Sequence, residues 1–282
     1  MQTQYNLGTF SYQLEITMQV HTVLCFGATP GCGNVALVIE EGPATPEARQ
    51  AFARAQPHPA CVFLDAGPGP AWVADYYYPH ARSPLCLHAT LGAAQVLFAR
   101  AGDAAPDIVL ATAMRGQALR LSRQGEDFFV ALQPQDVPAV AVDAALAAWL
   151  LGQPGLMLAG APVLASVGSP KLLIEVPERA TLHALHPPLE RILDWGRAHG
   201  VNGCYVVCRI GEESYEGRNF NHLDPAMEDR ATGVAAGALS AHLGRAITLH
   251  QGGALGAPCL IRTRLEEGEI LVGGRAELVP GN

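Results

Sequence analysis

A chain of 282 residues is long enough for one large domain or two of ordinary size. With 49% hydrophobic and 16% charged residues it can bury a substantial core, which excludes disorder as the default state. The formal net charge of −8 argues against the broad basic footprint of a nucleic-acid-binding protein, but leaves room for an anionic small molecule held by a local arginine or a helix N-terminus.

Residues 1–17 read as an extension; they lack the basic segment and apolar run of a signal peptide. Val20 to Phe26 and Val35 to Glu40 read as strands flanking a glycine-rich turn. Thr45-Pro46 opens a helix to about Gln56, since proline is preset for the first helical position. Strands follow at Cys61 to Leu64 and Trp72 to Tyr78, then an alanine-rich helix from His88 to Arg100 closed by Gly102. Ile108–Ala111, Ala118–Ser122 and Phe128–Leu132 are strand-like. Ala144 to Leu151 and Pro188 to His199 read as helices, the second ended by Gly200. Tyr205–Ile210 and Tyr215–Phe220 look like a hairpin, and Ala231 to Leu243 is a second alanine-rich helix, ended by Gly244. The most apolar stretch, Ala144 to Gly168, is broken by Gln153, Pro154 and Pro162, so no membrane span is expected. The seven cysteines have irregular spacing and no CxxC pair, which points to a reduced, cytoplasmic protein.

The most informative feature is internal. His88 to Gly102 can be laid on Arg230 to Gly244 with seven of fifteen positions identical, at an offset of 142 residues, about half the chain. Chance similarity of two alanine-rich helices is the competing explanation. Equal length, a shared Ala-Thr opening and a shared closing glycine favour duplication. Duplication places both helices at equivalent positions, with their N-termini able to face one another across a cleft. Such termini offer free N–H groups and positive dipole ends to a carboxylate or a developing enolate.

At the start of the first helix stand Cys86, Leu87 and His88; at the matching place in the second stand Glu228, Asp229 and Arg230. A thiol and an imidazole facing two carboxylates and a guanidinium form a set suited to moving a proton between carbons. The dipole is expected to lower the pKa of Cys86 and to hold His88 neutral. Each residue also has a plain structural reading: Asp229 as a helix cap, Cys86 as core, His88 as a hydrogen-bonded core histidine. The other cysteines read as core. No P-loop, GxGxxG after a strand, HExxH or GxSxG occurs, so nucleotide, zinc and serine-hydrolase chemistry have no support.

Five segments in order resemble one family. They are Gly33-Asn34-Val35-Ala36-Leu37-Val38, Leu85-Cys86-Leu87-His88-Ala89-Thr90-Leu91, Gly168-Ser169-Pro170-Lys171-Leu172-Leu173, Glu228-Asp229-Arg230-Ala231-Thr232-Gly233 and Val272-Gly273-Gly274-Arg275-Ala276. The chain from about residue 18 onward is similar to the phenazine-biosynthesis PhzF family of the diaminopimelate-epimerase-like fold. The resemblance implies an α+β protein of two pseudo-symmetric lobes, each a curved, mostly antiparallel sheet around a central helix. The expected lobes are residues 18–128 and 129–282, with the last strand returning to the first. It also implies a homodimer and an isomerase that shuttles protons without a cofactor.

By the same resemblance His88 and Asp229 take the family's catalytic places, and Cys86 is a candidate third group. Asn34, Ala60, Leu87, Ala89, Arg218, Glu228, Arg230, Thr232, Gly233, Val234 and Gln251 fall at substrate-facing positions. Four departures stand out. Pro59-Ala60-Cys61 replaces the family's Ser-Glu-Thr, so Ala60 stands where the general acid/base is expected. Leu87 replaces a glycine, Arg230 a proline and Val234 a serine. The expected function is therefore proton transfer on a small, anionic, carboxylate-bearing metabolite by a rewired site. A lyase, cyclase or thiol-dependent enzyme of specialised metabolism, or a non-catalytic small-molecule-binding homologue, are the alternatives on the same scaffold.

Overall fold

The computed structural model describes residues 18–57, 60–67, 71–102, 106–221 and 228–280; the extension 1–17 and Pro59 lie outside the described residues. The first half comprises β1 (Gln19–Cys25), β2 (Asn34–Glu40), α1 (Pro46–Ala55), β3 (Cys61–Ala66), β4 (Trp72–Tyr77), β5 (Arg82–Ser83), α2 (Leu87–Ala101), β6 (Ile108–Thr112), β7 (Ala118–Gln124) and β8 (Asp127–Leu132). The second comprises α3 (Ala144–Leu150), β9 (Val163–Ala165), β10 (Lys171–Glu175), α4 (Arg179–His183), α5 (Leu189–His199), β11 (Cys204–Arg209), β12 (Ser214–Phe220), α6 (Gly233–Leu243), β13 (Thr248–Gln251), β14 (Cys259–Glu266) and β15 (Glu269–Leu278). β8 crosses the expected division at residue 128.

The duplication is visible in the strand pairing. From β1 through β2, β3, β4, β6 and β7 to β8, successive neighbours are antiparallel, parallel, antiparallel, parallel, antiparallel and antiparallel. From β9 through β10, β11, β12, β13 and β14 to β15 the same series recurs. Each parallel step needs a crossover, and α1 and α5 span the first of these in their halves, α2 and α6 the second. These are the two pseudo-symmetric lobes.

The central helices differ from the crossover helices in composition. α2 is buried from Leu87 to Ala94 and again from Val96 to Phe98, as expected of a helix that is apolar all round. α1 and α5 are amphipathic and lie outside, α1 capped by Thr45, whose Oγ1 accepts from the Ala48 N–H at 3.3 Å. Small residues let strands close around the central helices. A Cβ at Gly237 of α6 would meet Val167 Cγ2 at 2.7 Å and Val272 Cγ2 at 2.8 Å.

β15 joins the lobes. It pairs with β14 of its own half and with β8 and β1 of the other. The path β1-β2-β3-β4-β6-β7-β8-β15 thereby closes on itself around α2. The principal core runs from Val23 and Leu91 of the first half to Leu239 and Val272 of the second without a break. A smaller core lies under α3, α4 and α5. No helix of the described residues is long and apolar enough to cross a membrane.

Candidate active site

α2 begins at Leu87, with Cys86 in extended backbone as its cap residue. The thiol makes no capping bond. It lies 3.4 Å from His88 Nδ1 and receives a hydrogen bond from the Tyr78 hydroxyl at 3.3 Å. Burial opposes a thiolate here, but the His88 imidazole, the Tyr78 hydroxyl and the Ala89 backbone N–H together hold the Cys86 thiol below the ordinary range. Burial likewise opposes an imidazolium at His88, yet Cys86 and the Asp229 carboxylate raise its pKa above the usual value. The adjacent sulfur and carboxylate thus act in the direction opposite to the one expected of the helix dipole. Burial, Cys86 and Asp229 push the Tyr78 hydroxyl well up, so it remains a donor.

The second helix starts later than the repeat implies. A single antiparallel bridge ties Asp229 to Asn219 of β12. The Asp229 carboxylate accepts from the Thr232 hydroxyl at 2.6 Å, from Asn34 Nδ2 at 3.1 Å and from the Ala231 N–H at 3.5 Å. This local turn competes with the helical ladder, and α6 begins only at Gly233, after Thr232 as cap residue. Asp229 is therefore not the cap. Gln251 braces the turn from behind: its Nε2 donates to the Asp229 carbonyl at 2.8 Å, and its Oε1 accepts from the Thr232 N–H and the Tyr205 hydroxyl.

The two helix starts meet. A Cβ at Gly233 would lie 2.3 Å from Leu87 Cδ2, and one at Gly168 would lie 3.2 Å from Val234 Cγ1. Two of the bulky departures are thus each seated against a glycine. Beside them is a cleft of about 210 Å³ whose wall includes Cys86, Leu87, His88, Asp229, Thr232, Gly233 and Val234. The thiol–imidazole pair and the carboxylate face one space.

Other expected residues stand elsewhere. Ala60 is in the first-lobe core, and Ala89 is buried with its N–H toward Cys86. Asn34 and Gln251 support Asp229 without reaching the cleft wall. Arg218 is engaged by both Glu228 oxygens, at 3.0 and 2.7 Å, and by the carbonyls of Leu182 and Leu185. Arg230 is exposed and off the cleft wall. Cys25, Cys61, Cys204, Cys208 and Cys259 are buried, whereas Cys32 is partly exposed.

The cleft wall also holds residues that sequence reasoning did not single out: Tyr78, Ser169, Lys171 and Asn202. Lys171 lay within a family-like segment, but nothing in its spacing signalled burial.

Residues 23–280 match the family model described as phenazine biosynthesis-like protein. The chain belongs to the phenazine biosynthesis-like family. An uncharacterised isomerase of Deinococcus radiodurans is 30% identical to it, over 86% of this chain and 85% of that protein. The structure of a predicted epimerase from Pseudomonas aeruginosa superposes with a TM-score of 0.78 at 26% identity, covering 94% of this chain and 98% of that one. A hydroxyproline epimerase from Agrobacterium vitis, solved with bound trans-4-hydroxy-L-proline, shares the fold at a TM-score of 0.61 and 12% identity, over 93% and 89% of the two chains. Family membership places an isomerase-type scaffold around the cleft.

Proposed function

We propose that this family member is a cofactor-independent isomerase that moves a proton on a small carboxylate-bearing metabolite. The observation that carries the reading is the convergence of Cys86, His88 and Asp229 on one cleft at the starts of two symmetry-related helices. In this scheme the Asp229 carboxylate removes a proton from carbon. Its Oδ1 accepts bonds from Asn34 and the Ala231 N–H, and Oδ2, which accepts from Thr232, retains further acceptor capacity. The His88 imidazolium returns a proton at another carbon or on the opposite face, and Cys86 keeps it charged. N–H groups of the two helix starts stabilise the intermediate enolate. No electrons leave the substrate, so no redox partner is required.

The Cys86–His88 pair takes over work that Ala60 cannot perform. Glu228 is bound to Arg218, which argues against its acting as the missing carboxylate. Turnover of small carboxylates in deuterium oxide tests the scheme. Label is expected at carbon in the product, and Asp229→Asn is expected to slow its entry by about 10²-fold or more. Product free of carbon-bound deuterium overturns it.

The lowered pKa of Cys86 favours one second reading, a thiol-dependent enzyme in which the sulfur attacks the substrate. A substrate adduct on Cys86 in mass spectra of quenched reactions distinguishes that reading from proton transfer.

A further inference from the structure

Lys171 opens β10 and is fully buried, with 0% exposure, yet it forms part of the cleft wall. Its Nζ donates one hydrogen bond, to Asn219 Oδ1 at 3.0 Å. An ammonium has three donors. Among the described residues Lys171 is in no ion pair; the Asp229 oxygens are bonded to Thr232, Asn34 and Ala231 instead. The Asp229 carboxylate acts on Lys171 through space without a direct bond, and a buried charge compensated only in that way is a costly arrangement that a bound anion would relieve.

Its surroundings repeat the theme. Asn219 is also wholly buried and its Nδ2 has no acceptor, so a second donor beside the ammonium is unmet. Asn202, on the cleft wall, donates to the Ser169 oxygen at 3.1 Å; its own unpartnered Oδ1 is an acceptor and contributes nothing to anion binding. The nearby arginines are bonded elsewhere or lie off the wall. Arg82 on the cleft wall is bonded to Asp75, Arg218 to Glu228, and Arg230 lies off the wall.

We infer that Lys171 is the anion-binding residue of this cleft and takes the carboxylate of a compact substrate, with the Ser169 hydroxyl beside it. The inference rests on the reading of the cleft as an active site and adds to it the group that orients the substrate. Size follows from the same wall. Leu87 and Val234 fill space against Gly233 and Gly168, and the remaining 210 Å³ is below the roughly 300–1,000 Å³ of drug-sized sites. The expected ligand is a carboxylate of a few carbon atoms. Burial pushes Lys171 down to about 8, against the pull of the Asp229 carboxylate. Cys204 is itself pushed up to about 12 by burial and stays neutral there.

The test uses Cys86 on the same wall as the reporter. Iodoacetate and iodoacetamide are alkylating agents of nearly equal size, one anionic and one neutral. Each is attacked by the thiolate with loss of iodide. Alkylation of Cys86 is followed by peptide mass spectrometry in the full-length protein, with partly exposed Cys32 in the same sample as reference. The iodoacetate-to-iodoacetamide rate ratio, which cancels the ionisation of the thiol, is expected to be higher at Cys86 than at Cys32. In Lys171→Met it should fall roughly tenfold or more, and in the parent protein it should fall as pH rises through about 8. The variant is expected to melt no lower than the parent, since it sheds a desolvated charge. An unchanged ratio overturns the inference, and with a lowered melting temperature it assigns Lys171 a structural role. A Cys86 inert to both reagents also overturns it, because such a cleft admits no carboxylate of this size. Failure of the isomerase scheme is separate: it appears as absence of deuterium from product and leaves the ratio untouched.

Discussion

Cys86 and His88 are two residues apart at a helix start, where the extended cap residue turns its side chain toward the first helical turn. That geometry lets a thiol and an imidazole share a proton at the cleft wall. His88→Gln keeps a polar side chain and removes the charge. The Cys86 pKa, now lowered, should rise, so its alkylation by iodoacetamide at neutral pH should slow by roughly tenfold. The sign of the pH dependence is fixed by the direction of the shift. Thiolate is present above the lowered pKa, so reactivity persists at pH values where an ordinary thiol is inert and disappears only as pH falls further. Tyr78→Phe removes one donor to the sulfur and should act in the same direction, less strongly. A rate unaffected by either change would show that neither group sets the ionisation of the thiol. The sequence already held Cys86, His88 and Asp229, because the repeat aligned two helix starts and the family motifs fell on them. It did not reveal Lys171, since a lysine at the edge of an apolar run reads as solvated; only strands brought from distant positions bury it. Nor did it show that Arg218 and Glu228 hold each other, ten residues apart across a segment whose path local pattern does not define.

Helix boundaries carried the next layer of information. α2 and α6 end at equivalent glycines, Gly102 and Gly244, as the repeat implied. Their starts differ because Asp229 bonds its own following residues instead of entering the helix, and no periodicity signals that choice. The meeting of Leu87 with Gly233 gives a prediction at this scale. Gly233→Ala places a methyl where Leu87 Cδ2 now lies and should cost about 1–3 kcal/mol by overpacking. Leu87→Ala in the same chain should recover much of that loss. A double-mutant cycle in denaturant measures the coupling, and additive effects would show that the two helix starts do not press on each other. Several elements were missed from sequence: β5, β9, β10, α4, β13, β14 and β15. β14 and β15 are joined by Glu267-Gly268, both at positive φ, the conformation of a two-residue hairpin turn. The turn is present without the usual Asn-Gly, and β10 lies beyond a Gly-Ser-Pro segment that reads as loop.

For the whole molecule, β15 decides how the lobes behave. Because it pairs with strands of both halves and the principal core is shared, the lobes should unfold together. Calorimetry is expected to show one transition with calorimetric and van't Hoff enthalpies in agreement. Two resolved transitions would show that the lobes are independent. Gly273→Val should weaken this seam strongly, since even a Cβ there would meet the Phe128 carbonyl oxygen at 2.1 Å. Two lobes and their central helices were legible in sequence as a half-length repeat, but the return of β15 to β1 came only with the family resemblance. Lobes joined in this way are expected to hold the thiol–imidazole pair and Asp229 in fixed opposition across the cleft. The most direct test of that opposition is solvent exchange: a panel of small carboxylates is incubated in deuterium oxide with the parent protein and with Asp229→Asn, and carbon-bound label is followed by NMR. The account predicts deuterium entering at least one compound with the parent and about 10²-fold more slowly with the variant. Equal rates of label entry in the two proteins, or a compound isomerised without any label, would contradict it.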